Sequence, residues 1–223
     1  MADTAGEGAR IFIVDDHPLV REWLAGLIRK EPGLVVVGQA DDAAGALASM
    51  AVAAPDLAIV DLSLKTDSGL ELIKLMRTRF PKTAIIVHSM HEEKFYAERA
   101  LIAGASGYVT KAESTGRIIE AIRHVLVGGV YASPEVISRA TAPVRARRAA
   151  AGPLSVASLS DREIEVFQRQ GQGHTTRKIA ADLKLSMKTV QAYNARIKEK
   201  LGLSSGTELT REAVRWVENR RRG

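Results

Sequence analysis

The sequence contains no cysteine among its 223 residues, so disulfide bonds and thiolate metal sites are excluded. This absence favours a reducing compartment. The chain also lacks any uninterrupted apolar run near the roughly 20 residues that cross a bilayer. Its acidic start, MADTAGEGAR, has no apolar segment of the kind found in signal peptides. We therefore expect a cytoplasmic protein with no membrane partner.

Charge is divided unevenly along the chain. Residues 1–130 carry 14 Lys and Arg against 17 Asp and Glu, a net charge of −3, whereas residues 131–223 carry 18 against 9, a net charge of +9. The opposite signs suggest two domains with different tasks, and the chain is long enough for two hydrophobic cores. The basic half raises nucleic acid as a partner, although many basic faces are only solvated.

Short β-branched runs alternate with longer amphipathic stretches in residues 8–129, which we take as the first domain. Five strands alternating with five helices predict an α/β fold, a doubly wound parallel sheet with helices on both faces. The predicted strands are Ile11–Val14, Leu34–Gly38, Leu57–Val60, Ala84–Val87 and Gly107–Val109, and the predicted helices cover residues 18–29, 42–53, 69–79, 92–103 and 114–127.

Polar side chains follow four of these strands at their carboxyl ends. Asp15 and Asp16 follow the first strand, Asp61 follows the third, Ser89 follows the fourth and Lys111 follows the fifth. Each residue alone fits ordinary turn chemistry. Together they lie on the edge of the sheet where such folds bind ligands. Because clustered carboxylates repel one another and Mg²⁺ takes carboxylate and phosphate oxygens, the pattern predicts a magnesium and phosphate site.

These residues stand in motifs that resemble the receiver domain of response regulators. The motifs are DD after the first strand, DLSL and GLEL separated by four residues, HSM after the fourth strand, and AGASGYVTK. The resemblance implies that Asp61 is the phosphoacceptor, with a sensor histidine kinase as the donor. It also implies that Asp15, Asp16, Asp61 and the backbone carbonyl of Ser63 hold Mg²⁺.

The same resemblance implies a switch beside the acceptor. Lys111 would pair with the phosphoryl oxygens, Ser89 would move toward the phosphate, and Tyr108 would be the aromatic residue that turns inward. One position departs from the family, because Lys65 replaces the usual proline four residues after the acceptor. That cation could alter the loop, the phosphate lifetime or the choice of kinase, or could be solvated without effect. His91 is at most a modulator of hydrolysis.

Residues 130–157 lose the alternation and are rich in Ala, Ser, Pro and Arg. This composition predicts an interdomain linker, with a short helix near residues 134–140. Arg145, Arg147 and Arg148 could touch phosphates, but a solvated basic tether is the simpler interpretation.

The sequence pattern of residues 158–223 predicts a small all-α domain of four helices. Ser160 and Glu163 form a capping box at the start of the first helix, which runs to about Gln170. The other helices are predicted at 176–183, 187–200 and 207–219. Two helices joined by a tight turn, the second longer and basic, are typical of a helix-turn-helix.

The third of these helices has a buried stripe and a polar face. Val190, Tyr193, Ile197 and Leu201 recur at helical spacing and predict the buried stripe. The polar face would enter the major groove of double-stranded DNA.

The segment from LSDREIEVF to SSGTEL resembles the LuxR-type DNA-binding domain. With the receiver in front, the chain resembles a NarL/FixJ-family response regulator. The resemblance implies that the third helix reads DNA. Lys188, Thr189 and Lys198 would lie near phosphates, and Gln191, Ala192 and Ala195 would face base edges, where glutamine suits adenine and alanine suits a thymine methyl. The family often has Lys or Arg at positions 191 and 195, and His at 193, so somewhat weaker phosphate binding is expected here.

The last helix carries an apolar stripe of Leu209, Ala213, Trp216 and Val217. Packing inside the domain would explain part of this stripe. A spare tryptophan in so small a domain favours a homodimer contact.

Two rival functions stay open. An aspartyl-phosphate hydrolase would share Asp61 and Mg²⁺, but it needs a carboxylate where Ser63 stands. A pseudo-receiver would keep the fold without phosphorylation, and only Lys65 favours it. The sequence therefore predicts a transcriptional regulator, not an enzyme, in which phosphorylation of Asp61 promotes dimerisation and promoter binding.

Overall fold

The structure is a computed structural model that describes residues 8–64, 68–90, 93–142, 156–183 and 185–221. The chain divides into two compact units, with the boundary after Thr141.

A five-stranded parallel sheet forms the centre of the first unit, in the order β2-β1-β3-β4-β5. The strands are β1 (Ala9–Val14), β2 (Leu34–Ala40), β3 (Leu57–Val60), β4 (Ala84–Ser89) and β5 (Gly107–Thr110). All five predicted strands are present, so the predicted fold class is confirmed. The ladders continue past the hydrophobic pattern at two places, since Val14 pairs with Ala40 and Ser89 pairs with Thr110. Backbone pairing therefore extends β2 and β4 beyond their apolar residues.

Helices cover both faces of this sheet, as the alternating pattern predicts. They are α1 (Pro18–Ile28), α2 (Ala43–Ala53), α3 (Gly69–Arg79), α4 (Glu93–Ala103) and α5 (Thr115–Leu126), and a further helix, α6 (Pro134–Thr141), follows them in the chain. Helices α1 and α5 bury Leu24 and Ile122 in one cluster with Ile13 and Ile86 of the strands. The carboxyl ends of β1, β3, β4 and β5 are thereby held side by side, with every residue of β3 buried.

The first unit runs further than the predicted start of the linker at residue 130. Tyr131 forms an isolated parallel bridge with Gly107 beside β5, and α6 packs against α4. Helix α6 has clear local signals, because Ser133 stands at its N-cap, Pro134 begins it and Glu135 lies in its first turn. Composition alone could not reveal that this short helix has a docking partner. Residues 143–155 lie outside the described residues.

The second unit contains a short 3-10 helix (Val156–Ser158) followed by α7 (Asp161–Gly171), α8 (Thr176–Asp182), α9 (Met187–Leu201) and α10 (Gly206–Arg221). The predicted capping box is present at the start of α7. Lys200 reaches the buried carboxylate of Glu163 at 2.6 Å. Burial raises the pKa of Glu163, but hydrogen bonds from Lys200 and Ser160 outweigh it and hold that pKa below its ordinary value.

The buried stripe of α9 is largely as predicted. Val190 and Ile197 are fully buried and Leu201 is nearly so, whereas Tyr193 is only half-buried. The guanidinium of Arg196 lies 6.0 Å from the centre of the Tyr193 ring, so this tyrosine sits at the border between core and surface.

No helix in the described part of the chain has the length and apolar character needed to cross a bilayer.

Candidate functional site: an acidic pocket and a basic helix

The strand ends bring the predicted acidic residues together. Asp15, Asp16 and Asp61 are at most 5% exposed, although they lie at the carboxyl edge of the sheet. The backbone fixes their positions, because the amide of Asp61 donates to the carbonyl of Val14 at 2.8 Å. Parallel pairing of β1 with β3 therefore sets one carboxylate beside the next.

Lys111 is the cation of this pocket. Its Nζ atom lies 2.6 Å from Oδ2 of Asp15 and 2.6 Å from Oδ2 of Asp61, and its side chain is only 8% exposed. Its amide donates to the carbonyl of Ser89 at 2.7 Å, which ties the end of β5 to the end of β4. Burial lowers the pKa of Lys111, but the two carboxylates outweigh it and raise that pKa above its ordinary value. Lys111 is thus a fixed positive charge bridging two aspartates.

The loop after β3 is shaped by a close approach of α3. The amide of Ser63 donates to Oδ1 of Asp61 at 3.2 Å, and the amide of Gly69 donates to the carbonyl of Leu62 at 3.1 Å. A Cβ atom on Gly69 would stand 2.4 Å from the carbonyl oxygen of Asp61. Only glycine allows the start of α3 to pass so close to the loop of Asp61 and Leu62. That the carbonyl of Ser63 binds a metal stays a prediction.

His17 is a site residue that the sequence analysis did not single out. Its Nδ1 atom lies 2.7 Å from Oδ1 of Asp16 and 3.2 Å from Oδ1 of Asp15, while its side chain is 60% exposed. The imidazole therefore stands at the mouth of the pocket. Its place directly after the two aspartates was the available signal.

The predicted switch residues flank the pocket. Ser89 is fully buried at the end of β4 and Tyr108 is 2% exposed on β5. The side chain of Tyr108 is therefore already buried in this structure. Lys65 and His91 lie outside the described residues.

A buried histidine lies on β4 next to Ser89. His88 is 4% exposed, and its ring stacks on Trp23 of α1 with 6.1 Å between centroids and 19° between planes. Burial, aided by the charge of Lys111, lowers the pKa of His88 to about 4. His88 is therefore neutral at pH 7.

The donor set fits Mg²⁺. Asp15, Asp16, His17 and Asp61 offer ligand atoms within 4.8 Å of one another. Mg²⁺ is a hard cation that binds carboxylate oxygens and retains waters, and three buried carboxylates meet that need. The pocket thus has the ligand atoms to hold a divalent cation.

The second unit presents the predicted polar face on α9. Lys188, Gln191, Ala192 and Ala195 are exposed, and their spacing sets them on one side of the helix. Thr189 and Lys198 are half-buried at its borders. The Oγ atom of Ser186 accepts from the amide of Thr189 at 3.0 Å and caps the helix.

Arg177 is an exposed cation on α8 that the sequence analysis did not include. It lies in the first helix of the helix-turn-helix, which crosses the DNA backbone in such motifs. Its position early in the segment HTTRKIAADL was the available signal.

The apolar stripe of α10 packs inside its own domain. Leu209 is 1% exposed, Ala213 is 0% and Val217 is 9%. Trp216 is half-buried and meets Phe167 of α7 at 5.6 Å between ring centroids. Packing within the domain therefore accounts for Leu209, Ala213 and Val217, which are buried and expose no surface that a second copy could contact. Dimerisation through this helix stays a prediction that would rest on Trp216.

Two family patterns match the chain. The response regulator receiver domain matches residues 11–123, and the luxR family of bacterial regulatory proteins matches residues 157–213.

Relatives with similar sequences extend over nearly the whole chain. Response regulator GacA of Pseudomonas aeruginosa is 34% identical over 206 residues, which cover 92% of this chain and 95% of the relative. Transcriptional regulatory protein UhpA of Escherichia coli is 36% identical over 202 residues, which cover 90% of this chain and 95% of the relative.

Solved structures agree with the sequence comparisons. A LuxR-family two-component response regulator from Aurantimonas sp. SI85-9A1 is 37% identical with a TM-score of 0.55. The match covers 59% of this chain and 94% of the solved chain. RcsB from Salmonella enterica serovar Typhimurium was solved bound to promoter rprA in the presence of a beryllium fluoride phosphomimetic. It is 26% identical with a TM-score of 0.61, and the match covers 92% of this chain and 97% of the solved chain. The chain belongs to the two-component response regulators that join a receiver domain to a LuxR-type DNA-binding domain, a family of transcription factors and not of enzymes.

Proposed function

We propose that Asp61 accepts a phosphoryl group from a sensor histidine kinase, and that this modification switches the DNA-binding activity of the chain. The observation that carries the proposal is the contact of Lys111 with both Asp15 and Asp61 at 2.6 Å. A buried cation and two further acidic side chains around one carboxylate match what an in-line phosphoryl transfer needs.

In the proposed step, an oxygen of Asp61 bonds to phosphorus as the bond from phosphorus to the donor imidazole breaks. The imidazole leaves with the electron pair of that bond. Lys111 exchanges part of its contact with Asp61 for the new phosphoryl oxygens. Asp15 and Asp16 would hold Mg²⁺, which neutralises negative charge on the transferring group.

The hydroxyl of Ser89 is the proposed sensor of the phosphoryl group. Ser89 lies next to Lys111 through the backbone hydrogen bond of 2.7 Å, so a phosphoryl group held by Lys111 lies near the end of β4. Movement of Ser89 would repack the space beside Tyr108 and shift the start of α4.

The proposed output is promoter binding by α9. Gln191, Ala192 and Ala195 would face base edges, and Lys188, with Thr189 and Lys198, would lie near phosphates. Arg177 would add a phosphate contact from α8. Support comes from the exposure of Lys188 and Arg177 and from the relative RcsB, which was solved on a promoter with a phosphomimetic. We further propose a homodimer on two half-sites and a cytoplasmic location.

A pseudo-receiver that works without phosphorylation is the second candidate. The exposed His17 ring at the pocket mouth gives it one supporting observation, because an imidazole bound to Asp16 competes with a metal ion. Retention of the three aspartates, Ser89 and Lys111 favours phosphorylation instead.

Phosphotransfer from a small donor such as phosphoramidate tests the proposal. Intact-mass spectrometry of the wild type with Mg²⁺ should show one added phosphoryl group, which is lost with a chelator or in Asp61→Asn. As a matched control, Asp56→Asn removes an aspartate near the opposite, amino end of the strands and should keep the modification. An unmodified wild type, with Mg²⁺ binding demonstrated, would contradict the proposal and favour the pseudo-receiver.

A further inference from the structure

Residues 131–141, which include α6, are here called the docked segment. It lies beyond the fifth helix of the receiver and leads toward the second unit. Its contacts reach both α4 and α5, the two helices next to β5.

On the side of β5, Tyr131 is bound through its backbone to the switch residue. The amide of Tyr108 donates to the carbonyl of Tyr131 at 2.8 Å, and the amide of Tyr131 donates to the carbonyl of Ser106 at 3.0 Å. The hydroxyl of Tyr131 donates to Glu120 of α5 at 3.1 Å and accepts from Arg117 at 3.1 Å. Tyr131 therefore acts as an added pairing residue at the edge strand, in direct contact with Tyr108.

On the side of α4, a charged hydrogen bond holds the start of α6. Oε1 of Glu93, the first residue of α4, accepts from the amide of Ser133 at 2.6 Å. Arg139 lies 3.4 Å from Glu98 of the same helix, and Val136 is 1% exposed. A carboxylate that accepts from a backbone amide makes a stronger hydrogen bond than a neutral acceptor, so Glu93 is the main polar clamp.

We propose that the docked segment relays the state of Asp61 to the interdomain connection. In the unphosphorylated protein, the segment stays clamped to Glu93 and Tyr108. Phosphorylation releases it, and residues 131–141 then join the connection between the two units.

Phosphorylation is expected to release the segment because of the residues to which the segment is attached. Glu93 stands only four positions after Ser89 in the sequence, so a shift of Ser89 toward the phosphoryl group displaces the start of α4. Tyr108 is the second attachment and lies on the strand that ends at Lys111. The contacts with Glu93 and Tyr108 therefore depend on residues that the phosphoryl group moves. The contact of Arg139 with Glu98 and those of the Tyr131 hydroxyl with α5 are solvent-exposed and weak.

Release would give the DNA-binding unit a longer and more flexible connection. A longer connection lets two DNA-binding units on paired receivers span a pair of half-sites, since the reach of a flexible linker grows with its length. This relay rests on the proposed function, because it requires a phosphoryl group at Asp61.

The test uses the full chain and two measurements. The first is the hydrogen-exchange rate of peptides covering residues 131–141. The second is the affinity for beryllium fluoride in the presence of Mg²⁺, measured by fluorine NMR. Beryllium fluoride should speed exchange of these peptides in the wild type by about fivefold or more. Glu93→Gln should speed the same exchange without beryllium fluoride. Because coupling between two equilibria is reciprocal, Glu93→Gln should also bind beryllium fluoride about fivefold more tightly. Glu135→Gln, on the exposed face of α6, is the matched control and should change neither quantity.

Three outcomes would overturn the relay. If beryllium fluoride binds the wild type and exchange of 131–141 is unchanged, the relay is wrong while phosphorylation stands. If Glu93→Gln speeds exchange but leaves the affinity unchanged, Glu93 has only a structural role. If beryllium fluoride does not bind at all, both the proposed function and the relay are wrong.

Discussion

At the scale of single residues, the pocket is an arrangement of buried charges that depends on one cation. Asp15 and Asp61 are each 2% exposed and share Lys111. A buried ion pair is costly to form, and removal of one partner leaves an uncompensated charge in the protein. Lys111 therefore has a structural role in the resting protein in addition to its proposed contact with phosphate.

We expect Lys111→Met to destabilise the receiver by about 3 kcal/mol in a chelator, because it leaves two buried carboxylates without their shared cation. Added Mg²⁺ should restore part of this loss, since the cation replaces the missing charge. Lys74→Met, which breaks the exposed pair with Glu71, should cost less than about 1 kcal/mol. Urea unfolding with and without Mg²⁺ measures both, and equal stabilities of the two variants would refute this account of Lys111.

The neutral His88 predicts a pH dependence of stability. Its pKa is about 4 in the folded chain against an ordinary value of 6.5, so between these values the unfolded state binds a proton that the folded state does not. Stability is complete above pH 6.5 and falls as the pH drops toward 4. The loss from this group is about 3 kcal/mol, from 1.36 kcal/mol per pKa unit.

His88→Phe should keep the stack on Trp23 and flatten the slope of unfolding free energy between pH 6.5 and 4. The exposed His124, replaced in His124→Gln, serves as the control and should leave the slope as in the wild type. If His124→Gln flattened the slope and His88→Phe did not, His88 would not be held neutral by burial.

At the scale of elements, the second unit depends on the close approach of α10 to α7. A Cβ atom on Gly171 would stand 2.3 Å from the carbonyl oxygen of Ala213 and 2.7 Å from Val217. The apolar stripe of α10 is thus packed against a glycine that ends α7. This contact explains why the stripe is buried in the domain.

Gly171→Ala should destabilise the second unit by about 1–3 kcal/mol, because the added methyl group forces the two helices apart. Gly206→Ala adds the same group where no atom lies within 4 Å and should be neutral or slightly stabilising. Thermal unfolding of the full chain distinguishes them. A Gly171→Ala protein as stable as the wild type would mean that α10 does not pack this way, and would make the whole stripe, not Trp216 alone, available for a dimer contact.

The sequence predicts these elements unevenly, for physical reasons. Short β-branched apolar runs identified all five strands, because strands of a parallel sheet are buried on both faces. The helical spacing of apolar residues identified the polar face of α9. The clustering of Asp15, Asp61 and Lys111 followed from strand order in a parallel sheet. Periodicity does not reveal which partner covers an apolar stripe, so the sequence left packing of α10 within its domain and a dimer contact as alternatives, and it did not predict the docking of α6. His17 was missed although it directly follows the two aspartates, because that position does not show whether its ring turns back toward them.

At the scale of the whole molecule, two units of opposite charge are joined by a connection whose first part is docked on the receiver. The receiver has its acidic pocket at the carboxyl end of its sheet, while the DNA-binding unit carries exposed cations. A switch between them must therefore change how receivers pair or how freely the second unit moves. Both changes are expected to follow from the phosphoryl state of Asp61.

Sedimentation of the wild type and Asp61→Asn, with Mg²⁺ and with or without beryllium fluoride, tests this central claim most directly. We predict that beryllium fluoride converts the wild type from monomer to dimer and leaves Asp61→Asn monomeric. A wild type that binds beryllium fluoride and stays monomeric, or a variant that dimerises equally, would contradict the claim that Asp61 controls assembly.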